Sequence, residues 1–86
     1  MTLDQVQYFL VLCRELSFTQ AARLCGISQP SMTNAISALE AEFGVMLFHR
    51  TPEVRLSQWG EQIKPLFERI EAATGELRAL AKDMES

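Results

Sequence analysis

Histidine and cysteine are scarce in this chain of 86 residues, which has one histidine, His49, and two cysteines, Cys13 and Cys25. A metal or catalytic cluster built on histidine therefore has too few members. The two cysteines lack Cys-x-x-Cys spacing and neighbouring histidines, which argues against both a zinc site and a disulfide framework. We expect two reduced thiols in the core, because free cysteine is among the most buried residue types, and neither a metal nor another cofactor.

Long apolar runs are missing as well, and no run approaches the roughly 20 residues of a membrane-spanning helix. No basic segment leads into an apolar stretch with a small-residue cleavage site. A nucleophile–base pair and a glycine-rich phosphate loop are also missing, which makes an enzyme the weakest of the functional classes. With 86 residues and an apolar content of 48%, the sequence predicts one cytoplasmic domain with a single modest core.

Residues 17–44 form the most informative part of what is present. Ser17 followed by Gln20 has capping-box spacing, so a helix is predicted to begin near Phe18. Gly26 lies where this helix must end, because a helix C-terminus favours a residue that tolerates positive φ. The segment therefore begins with a short helix and a tight turn.

A second, longer helix is predicted after the turn. Ser28 can cap it, Pro30 falls in its first turn, where no intrahelical N–H is lost, and Gly44 ends it. Apolar residues at helical spacing predict one buried stripe, made of Met32, Ile36, Leu39 and Phe43. Small uncharged polar residues lie away from that stripe, namely Gln29, Thr33, Asn34 and Ser37.

The polar face of this second helix favours DNA reading. A merely solvated face usually carries Lys and Glu, whereas Ser, Thr, Asn and Gln suit hydrogen bonding to base edges and phosphates. The pattern predicts a helix-turn-helix whose second helix enters the major groove. An ordinary helical hairpin is the alternative, and the spacing of Ala22 and Gly26, with Ile27 after the turn, favours the DNA-binding interpretation.

Segments on either side complete a winged helix. Thr2 with Gln5 is a second capping box and opens a first helix that runs to about Leu16. Its core stripe is predicted at Leu3, Val6, Phe9, Leu10 and Cys13. Residues 45–50 and 54–56 are predicted to form two short strands with a turn between them, which is the wing.

The last predicted helix runs from about Gln58 to Met84, with Ser57 as its cap. At about 1.5 Å per residue it is roughly 40 Å long, too long for so small a body to cover. Apolar residues alternate in steps of four and three and predict a dimer seam, formed by Ile63, Phe67, Ile70, Thr74, Leu77, Ala81 and Met84. Three further apolar residues flank this seam, namely Leu66, Ala73 and Leu80.

Residues 3–60 resemble the N-terminal domain of LysR-type transcriptional regulators. The matching pieces are Tyr8-Phe9, Ser17-Phe18-Thr19 with Ala21-Ala22, Ser28-Gln29-Pro30-Ser31, Leu39-Glu40, Gly44-Val45, Leu47-Phe48, Arg50-Thr51 and Val54-Arg55-Leu56-Ser57 with Gly60. The resemblance implies a mainly α fold, with a winged helix-turn-helix over residues 1–57 and a linker and dimerisation helix over residues 58–86. It also implies that this chain is a fragment of a longer regulator, whose small-molecule effector would bind a regulatory domain that is absent here.

The expected partner is double-stranded DNA, bound by a homodimer on an imperfect palindrome; a full-length form could assemble further. Gln29 lies at the start of the recognition helix, closest to the bases, where it can bond adenine, and Pro30 can contact a thymine methyl. Ser17 and Thr19 are expected to contact the DNA backbone and so position it relative to the protein. The complete predicted DNA-binding set is Ser17, Thr19, Gln29, Pro30, Ser31, Thr33, Asn34, Ser37, Arg50 and Arg55.

Three features depart from the family pattern. Asn34 stands where the family usually carries a basic residue that reaches a phosphate. Pro52-Glu53 makes the wing shorter and acidic, which argues against minor-groove insertion. Trp59 replaces a residue that is typically small, and we expect it to pack at the junction of the wing and the last helix, with a contact to DNA or an effector domain as the alternative.

Cations are few for a DNA-binding domain, since the net charge is −3. Residues 17–59 carry three cations, Arg23, Arg50 and Arg55, against three anions, so the acidic excess lies outside the predicted reading surface. Arg50 has the alternative of pairing with Glu40 or Glu42. The acidity leaves one rival function from another class, a winged helix that serves protein association alone and binds no DNA.

Overall fold

In the computed structural model, which describes residues 1–85, each of the four helices begins after a hydroxyl-bearing residue. The elements are α1 (Leu3–Glu15), α2 (Phe18–Cys25), α3 (Gln29–Phe43), β1 (Phe48–His49), β2 (Arg55–Leu56) and α4 (Gln58–Met84). The side chains of the capping residues each accept the backbone N–H three residues later; these are Thr2, Ser17, Ser28 and Ser57. This satisfies donors that the first turn of a helix leaves without an intrahelical partner.

Only one of the two predicted capping boxes is complete. The Gln5 side chain accepts the backbone N–H of Thr2 at 3.0 Å, which closes the box at α1. At α2 the Ser17 half is present, but the Gln20 side chain instead accepts from Nε of Arg23 at 3.1 Å. The second box was therefore predicted wrongly, although the helix start was right, because one serine bond is enough to begin the helix.

Left-handed residues end the first three helices. Gly26 and Gly44 both have φ 71°, as their places in the sequence predict. Leu16 ends α1 with φ 52°, an uncommon conformation for a leucine. The turn at Gly26 sends α3 back across α2, and this places the N-terminal turns of the two helices side by side.

One core joins all the helices and the wing. Its fully buried apolar members are Val6, Phe9, Leu12, Ala21, Ala22, Met32, Ile36, Leu39, Leu47, Phe48 and Phe67. Aromatic edges meet at its centre, where the Phe9 ring lies 5.4 Å from Phe48 and 5.0 Å from Phe67. Because Phe67 comes from α4, residues on both sides of Ser57 build the same core.

The two predicted helical stripes need corrections at their ends. On α1, Leu3 is 53% exposed and Leu12 is fully buried, because the body of the domain lies under the middle of the helix while its first turn borders an open groove against α4. Leu10 and Cys13 are only partly buried. On α3, Phe43 is 37% exposed at the domain edge, where it meets Phe67 at 6.1 Å.

The wing is a two-stranded antiparallel sheet, as predicted, but with only two residues in each strand. Phe48 pairs with Leu56 and His49 with Arg55. The start of α4 packs tightly beneath it, since a Cβ added to Gly60 would overlap the carbonyl oxygen of Leu47 and the Leu56 side chain. A glycine is needed here for close approach of the backbone.

Helix α4 is continuous over its 27 residues despite Pro65. Because of this helix, residues 1–85 extend 51 Å along their longest axis and 25 and 20 Å along the two shorter axes. Its first half lies on the core, and its second half extends past the start of α1. Within the described part of the chain, no helix is long and apolar enough to cross a membrane.

Candidate nucleic-acid interface

The first turn of α3 presents a continuous uncharged polar surface. Gln29, Pro30 and Ser31 are all exposed there. Ser28 caps this turn through the backbone N–H of Ser31 at 3.2 Å, and its hydroxyl donates to the Ser31 hydroxyl at 2.9 Å. The Ser31 amide is taken by Ser28 and Pro30 has no N–H, so the exposed Gln29 side-chain amide and Ser31 hydroxyl are the polar groups that this turn offers to a base or phosphate.

The remaining polar residues of α3 continue this surface along the helix. Asn34 and Ser37 are exposed, whereas Thr33 is half-buried. The opposite side of the helix carries the buried Met32, Ile36 and Leu39. The predicted division of α3 into a core side and a polar side is confirmed, and Thr33 lies between the two.

The start of α2 lies against the start of α3. The Thr19 hydroxyl donates to Oε1 of Gln29 at 3.3 Å. Ala21 and Ala22 are buried at 0% and 2% exposure, so α2 packs on the rest of the domain through small side chains. The structure therefore brings Ser17, Thr19 and Gln29 to one edge of the domain, as the prediction requires.

Arg50 takes the alternative left open by the sequence. Its Nη2 lies 2.9 Å from the Glu40 carboxylate, its Nη1 donates to the carbonyl of Phe48 at 2.9 Å, and its guanidinium lies 5.2 Å from the centre of the Phe18 ring. Glu42 instead pairs with the N-terminal ammonium at 2.6 Å. Arg50 thus joins α2, α3 and β1, and its contact with DNA stays a prediction.

Glu40 has a positioning role that the sequence analysis missed. Beyond Arg50, its carboxylate accepts the backbone N–H groups of Leu47 at 2.7 Å and Phe48 at 3.3 Å. It therefore holds the base of the wing onto the recognition helix. The sequence offers Glu40 as a partner of Arg50, but no local signal in it shows that the same carboxylate also accepts two backbone N–H groups at the start of the wing.

The wing tip is exposed and carries mixed charge. Thr51, Pro52 and Glu53 are exposed at the turn, and Arg55 is exposed on β2. Arg23 on α2 is exposed too, with its Nε directed at Gln20. With Arg50 held by Glu40, Arg23 and Arg55 are the predicted cations that lie open to solvent.

Two members of the predicted dimer seam on α4, Phe67 and Thr74, lie on the side that faces their own domain, whereas Ala81 is exposed. Phe67 is 3% exposed and belongs to the core of its own chain, and the hydroxyl of the half-buried Thr74 donates to the carbonyl of Ile70 at 2.9 Å. Ile63 and Ile70 also pack partly against this core. Exposed apolar residues lie one position earlier, at Leu66, Ala73 and Leu80, which the sequence predicts to flank the seam. Steps of four and three fit both adjacent faces of α4, and the face that carries Phe67 packs on its own domain.

Trp59 borders an apolar groove of about 650 Å³ at the start of α4. Trp59 was expected to pack at the junction of the wing and α4; the residue is 51% exposed and borders this groove instead of being buried. The groove is lined mainly by Met1, Phe43, Val45, Trp59, Ile63 and Leu66. Further along α4, Leu77, Leu80 and Met84 are between 57% and 76% exposed.

Neither cysteine has the surroundings of a reactive thiol. Cys13 and Cys25 are free and half-buried, rather than fully in the core as expected. Burial raises the pKa of Cys13 from 9.0 to about 12 and also raises the pKa of Cys25, so both thiols stay protonated at neutral pH. In residues 1–85 no group of three or more His, Cys, Asp or Glu side chains is placed to hold a metal.

Comparison with known proteins identifies relatives of the same architecture. The profile of the family described as "Bacterial regulatory helix-turn-helix protein, lysR family" matches residues 3–61. The chain is 45% identical over 62 residues to the HTH-type transcriptional regulator BudR of Klebsiella aerogenes, covering 71% of this chain and 43% of BudR. It therefore spans less than half of the length of that curated relative.

Two solved structures share the fold closely. Full-length OxyR C199D from Pseudomonas aeruginosa superposes with a TM-score of 0.92 at 34% identity, covering 96% of this chain and 28% of that one. The complex of BenM_DBD with catB site 1 DNA superposes with a TM-score of 0.93 at 28% identity, covering 100% of this chain and 98% of that one. The winged helix predicted from the sequence is thus the fold of a protein solved on DNA.

Proposed function

Because this chain belongs to the lysR family of bacterial regulatory helix-turn-helix proteins, we propose that it binds double-stranded DNA sequence-specifically as the DNA-binding part of a transcriptional regulator. The observation that carries the proposal is the exposed, uncharged first turn of α3, held against α2 at the edge of the domain. BenM_DBD was solved in complex with DNA, and its superposition on this chain with a TM-score of 0.93 supports the same use. A regulator of this kind acts on DNA in the bacterial cytoplasm and needs no catalytic group.

The reading geometry follows from the placement of α3. With its apolar side buried, α3 can enter the major groove only with its polar side and its first turn leading. Gln29 and Pro30 then reach base edges first, while Asn34 and Ser37 reach bases or phosphates further along. Ser17 lies at the start of α2, where free backbone amides can contact a phosphate.

The second half of α4 supports a homodimer. When the partly buried Ile63 and Ile70 are included, the exposed apolar residues of α4 recur in alternating steps of four and three residues. The revised seam is Trp59, Ile63, Leu66, Ile70, Ala73, Leu77, Leu80 and Met84. Side chains this apolar and this exposed on a helix that extends past its own domain favour a partner of the same kind.

An antiparallel pairing of the two α4 helices fits the seam best. The groove lies at the start of α4, and the most exposed apolar side chains lie at its end. Reversing the second helix seats the end of each helix in the groove of the other. The spacing of the seam residues alternates between four and three and begins and ends with four, so it is the same in both directions along the helix. Trp59 then meets Met84 of the second copy, and Leu66 meets Leu77.

A gel-shift experiment at low salt tests the function. The chain is incubated with a pool of randomised duplexes, bound DNA is recovered and amplified, and the sequences are read. DNA binding with enrichment of one sequence is the expected result. A protein-association module would sediment as a dimer, but it would shift no duplex and enrich no sequence.

Cysteine cross-linking tests the pairing, in a background with Cys13 and Cys25 replaced by alanine. Leu66→Cys and Leu77→Cys chains, mixed and oxidised, should form a disulfide between the two different chains. Leu66→Cys alone should form little. Efficient cross-linking of Leu66→Cys with itself would show a parallel pairing instead.

A further inference from the structure

Arg50 is held by its own protein on three sides. Its Nη1 and Nη2 donate to the two oxygens of Glu40 at 3.3 and 2.9 Å, and Nη1 also donates to the carbonyl of Phe48 at 2.9 Å. The ring of Phe18 lies 5.2 Å from the guanidinium on a third side. The side chains of Glu40 and Arg50 are 15% and 32% exposed, so the pair is largely withdrawn from solvent. A planar fork on one carboxylate fixes both the place of the guanidinium and the partner of its charge.

The same carboxylate holds the start of the wing. It accepts the backbone N–H groups of Leu47 and Phe48. Since Arg50 takes the Phe48 carbonyl, the pair binds both backbone polar groups of Phe48. The two strands of the wing have only two residues each, and so short a sheet is marginal by itself. The place of the wing tip relative to α3 therefore depends on Glu40 and Arg50.

We infer that Arg50 is a positioning residue, which holds the wing where its tip meets the DNA backbone and does not itself pair with a phosphate. The inference rests on the proposed DNA-binding function and gives a predicted DNA contact a different role. DNA binding then requires the fork of Arg50, which reaches Glu40 and the Phe48 carbonyl together, and a positive charge alone is not enough. Glu40 supports binding for the same reason, although it is an anion.

Neutralising Glu40 distinguishes the two roles by the sign of the effect. If Arg50 were a phosphate ligand, Glu40→Gln would release it and remove an anion, and binding would tighten. A positioning role predicts the opposite, because the wing is freed. Binding should weaken by about twofold to fivefold per protomer, the worth of one exposed charged contact. Glu42→Gln is the matched control on the same helix, since Glu42 pairs with the N-terminal ammonium instead, and it should not weaken binding.

Two substitutions of Arg50 separate its fork from its charge. Lysine keeps the charge but has one ammonium in place of the planar fork. Arg50→Lys and Arg50→Gln should therefore both weaken binding by about twofold to fivefold per protomer. Wild-type binding in Arg50→Lys with a loss only in Arg50→Gln would assign Arg50 to a phosphate and overturn the inference.

A change at the wing tip locates the effect. Glu53→Arg adds a cation to the exposed tip and should tighten binding in the wild-type background. In the Arg50→Gln background the logarithm of that gain should fall by at least about half, because a wing that is no longer held must be ordered when it binds. An undiminished gain would overturn the inference.

Base preferences provide the readout that a general loss of structure would move. Gln29 and Glu40 are eleven residues apart on α3, or roughly 16 Å along the helix. The preferences read by Gln29 should therefore stay as in the wild type in every variant. Their loss in the Glu40 or Arg50 variants would show that the pair supports α3 itself, and would overturn the inference.

Titrations use the duplex that the wild-type chain enriches from a randomised pool, and circular dichroism checks the fold of each variant. If Glu40→Gln does not fold, the two Arg50 variants carry the test, since they leave the bonds from Glu40 to the wing backbone in place. A wild-type chain that enriches no sequence contradicts the proposed function and the inference with it. An enriched site that both Arg50 variants bind as strongly as the wild type contradicts the inference alone.

Discussion

Single residues of the interface offer hydrogen bonding in place of charge. Gln29, Ser31 and Asn34 are exposed on α3, and the one cation that could have joined them from the base of the wing, Arg50, is bound to Glu40 at 2.9 Å. Hydrogen bonds to base edges carry sequence information, whereas pairing with phosphates does not. We therefore expect single substitutions on α3 to change specificity more than overall affinity.

Gln29→Ala is the residue-scale test of base reading. It should cost about 1–3 kcal/mol on the enriched duplex and little on random DNA, since a base-edge contact is lost. Titrations on both duplexes measure the two losses. Gln7→Ala, which truncates an exposed glutamine on α1, is the matched control and should change neither. An equal loss on both duplexes would remove Gln29 from the reading set.

Glu53→Arg tests whether the wing tip approaches DNA. The tip is exposed, and the change replaces an anion by a cation without touching α3. Binding should tighten by a similar factor on all sequences, because a phosphate contact is independent of sequence. Glu76→Arg makes the same charge change on α4 and serves as the control. If both variants tighten binding equally, the effect is one of net charge and the wing stays away from DNA.

The ends of a helix could be predicted where the residues that specify them lie close by in the sequence. Hydroxyl caps and glycines lie within a few residues of the helix ends that they specify, so α2 and α3 have the predicted starts and ends. The face of α4 was not predictable in this way. Ile63, Ile70 and Leu77 fit two adjacent seams equally well, and only packing of Phe67 against Phe9 decides which seam stays exposed.

The sequence offered Glu40 and Glu42 as partners of Arg50 without deciding between them, and it gave no partner for Thr19, for a related reason. Each contact joins residues ten positions apart in the chain across a turn or a loop. Spacing within one helix could show that Gln29 is exposed, but not that a hydroxyl from α2 holds its amide. The sequence therefore predicts which side chains of α3 are polar and exposed, whereas the orientation of a side chain such as Gln29 depends on how the helices pack.

Leu80→Asp tests the revised seam on α4. A charge at this exposed apolar position should raise the dissociation constant of the dimer by at least about 100-fold, since two leucines per dimer lose their burial. The chain should stay folded, because Leu80 lies outside its own core. Sedimentation and circular dichroism measure the two properties.

A pair of neighbouring alanines provides the matched control for the seam. Ala73→Asp should also weaken the dimer, whereas Ala72→Asp, on another side of the helix, should not. Ile70→Asp differs from both, since Ile70 packs partly against the core and the variant should lose thermal stability as well. A wild-type chain that is monomeric at high concentration would contradict the seam.

For the whole molecule, the net charge of −3 limits how strongly DNA can be held by electrostatics. Arg23, Arg50 and Arg55 are the predicted cations of each protomer at the interface. With about 0.9 counterions released per phosphate paired, six cations per dimer give a slope of log K against log salt no steeper than about −5. The slope should be near −4 if Arg50 stays on Glu40. Titrations at several salt concentrations measure it, and a much steeper slope would mean that other cations, such as Lys64, reach phosphates.

Interference by 7-deazapurines on the enriched duplex tests base reading by α3 most directly. These bases lack the N7 acceptor of the major groove and leave the sugar–phosphate backbone unchanged. If the first turn of α3 reads base edges in a dimer, substitution should weaken binding at two clusters of positions, one helical turn of about 10–10.5 base pairs or a multiple of it apart. Uniform tolerance of 7-deazapurines along the whole duplex, with binding retained, would show that the chain holds the DNA backbone and would contradict base reading by α3.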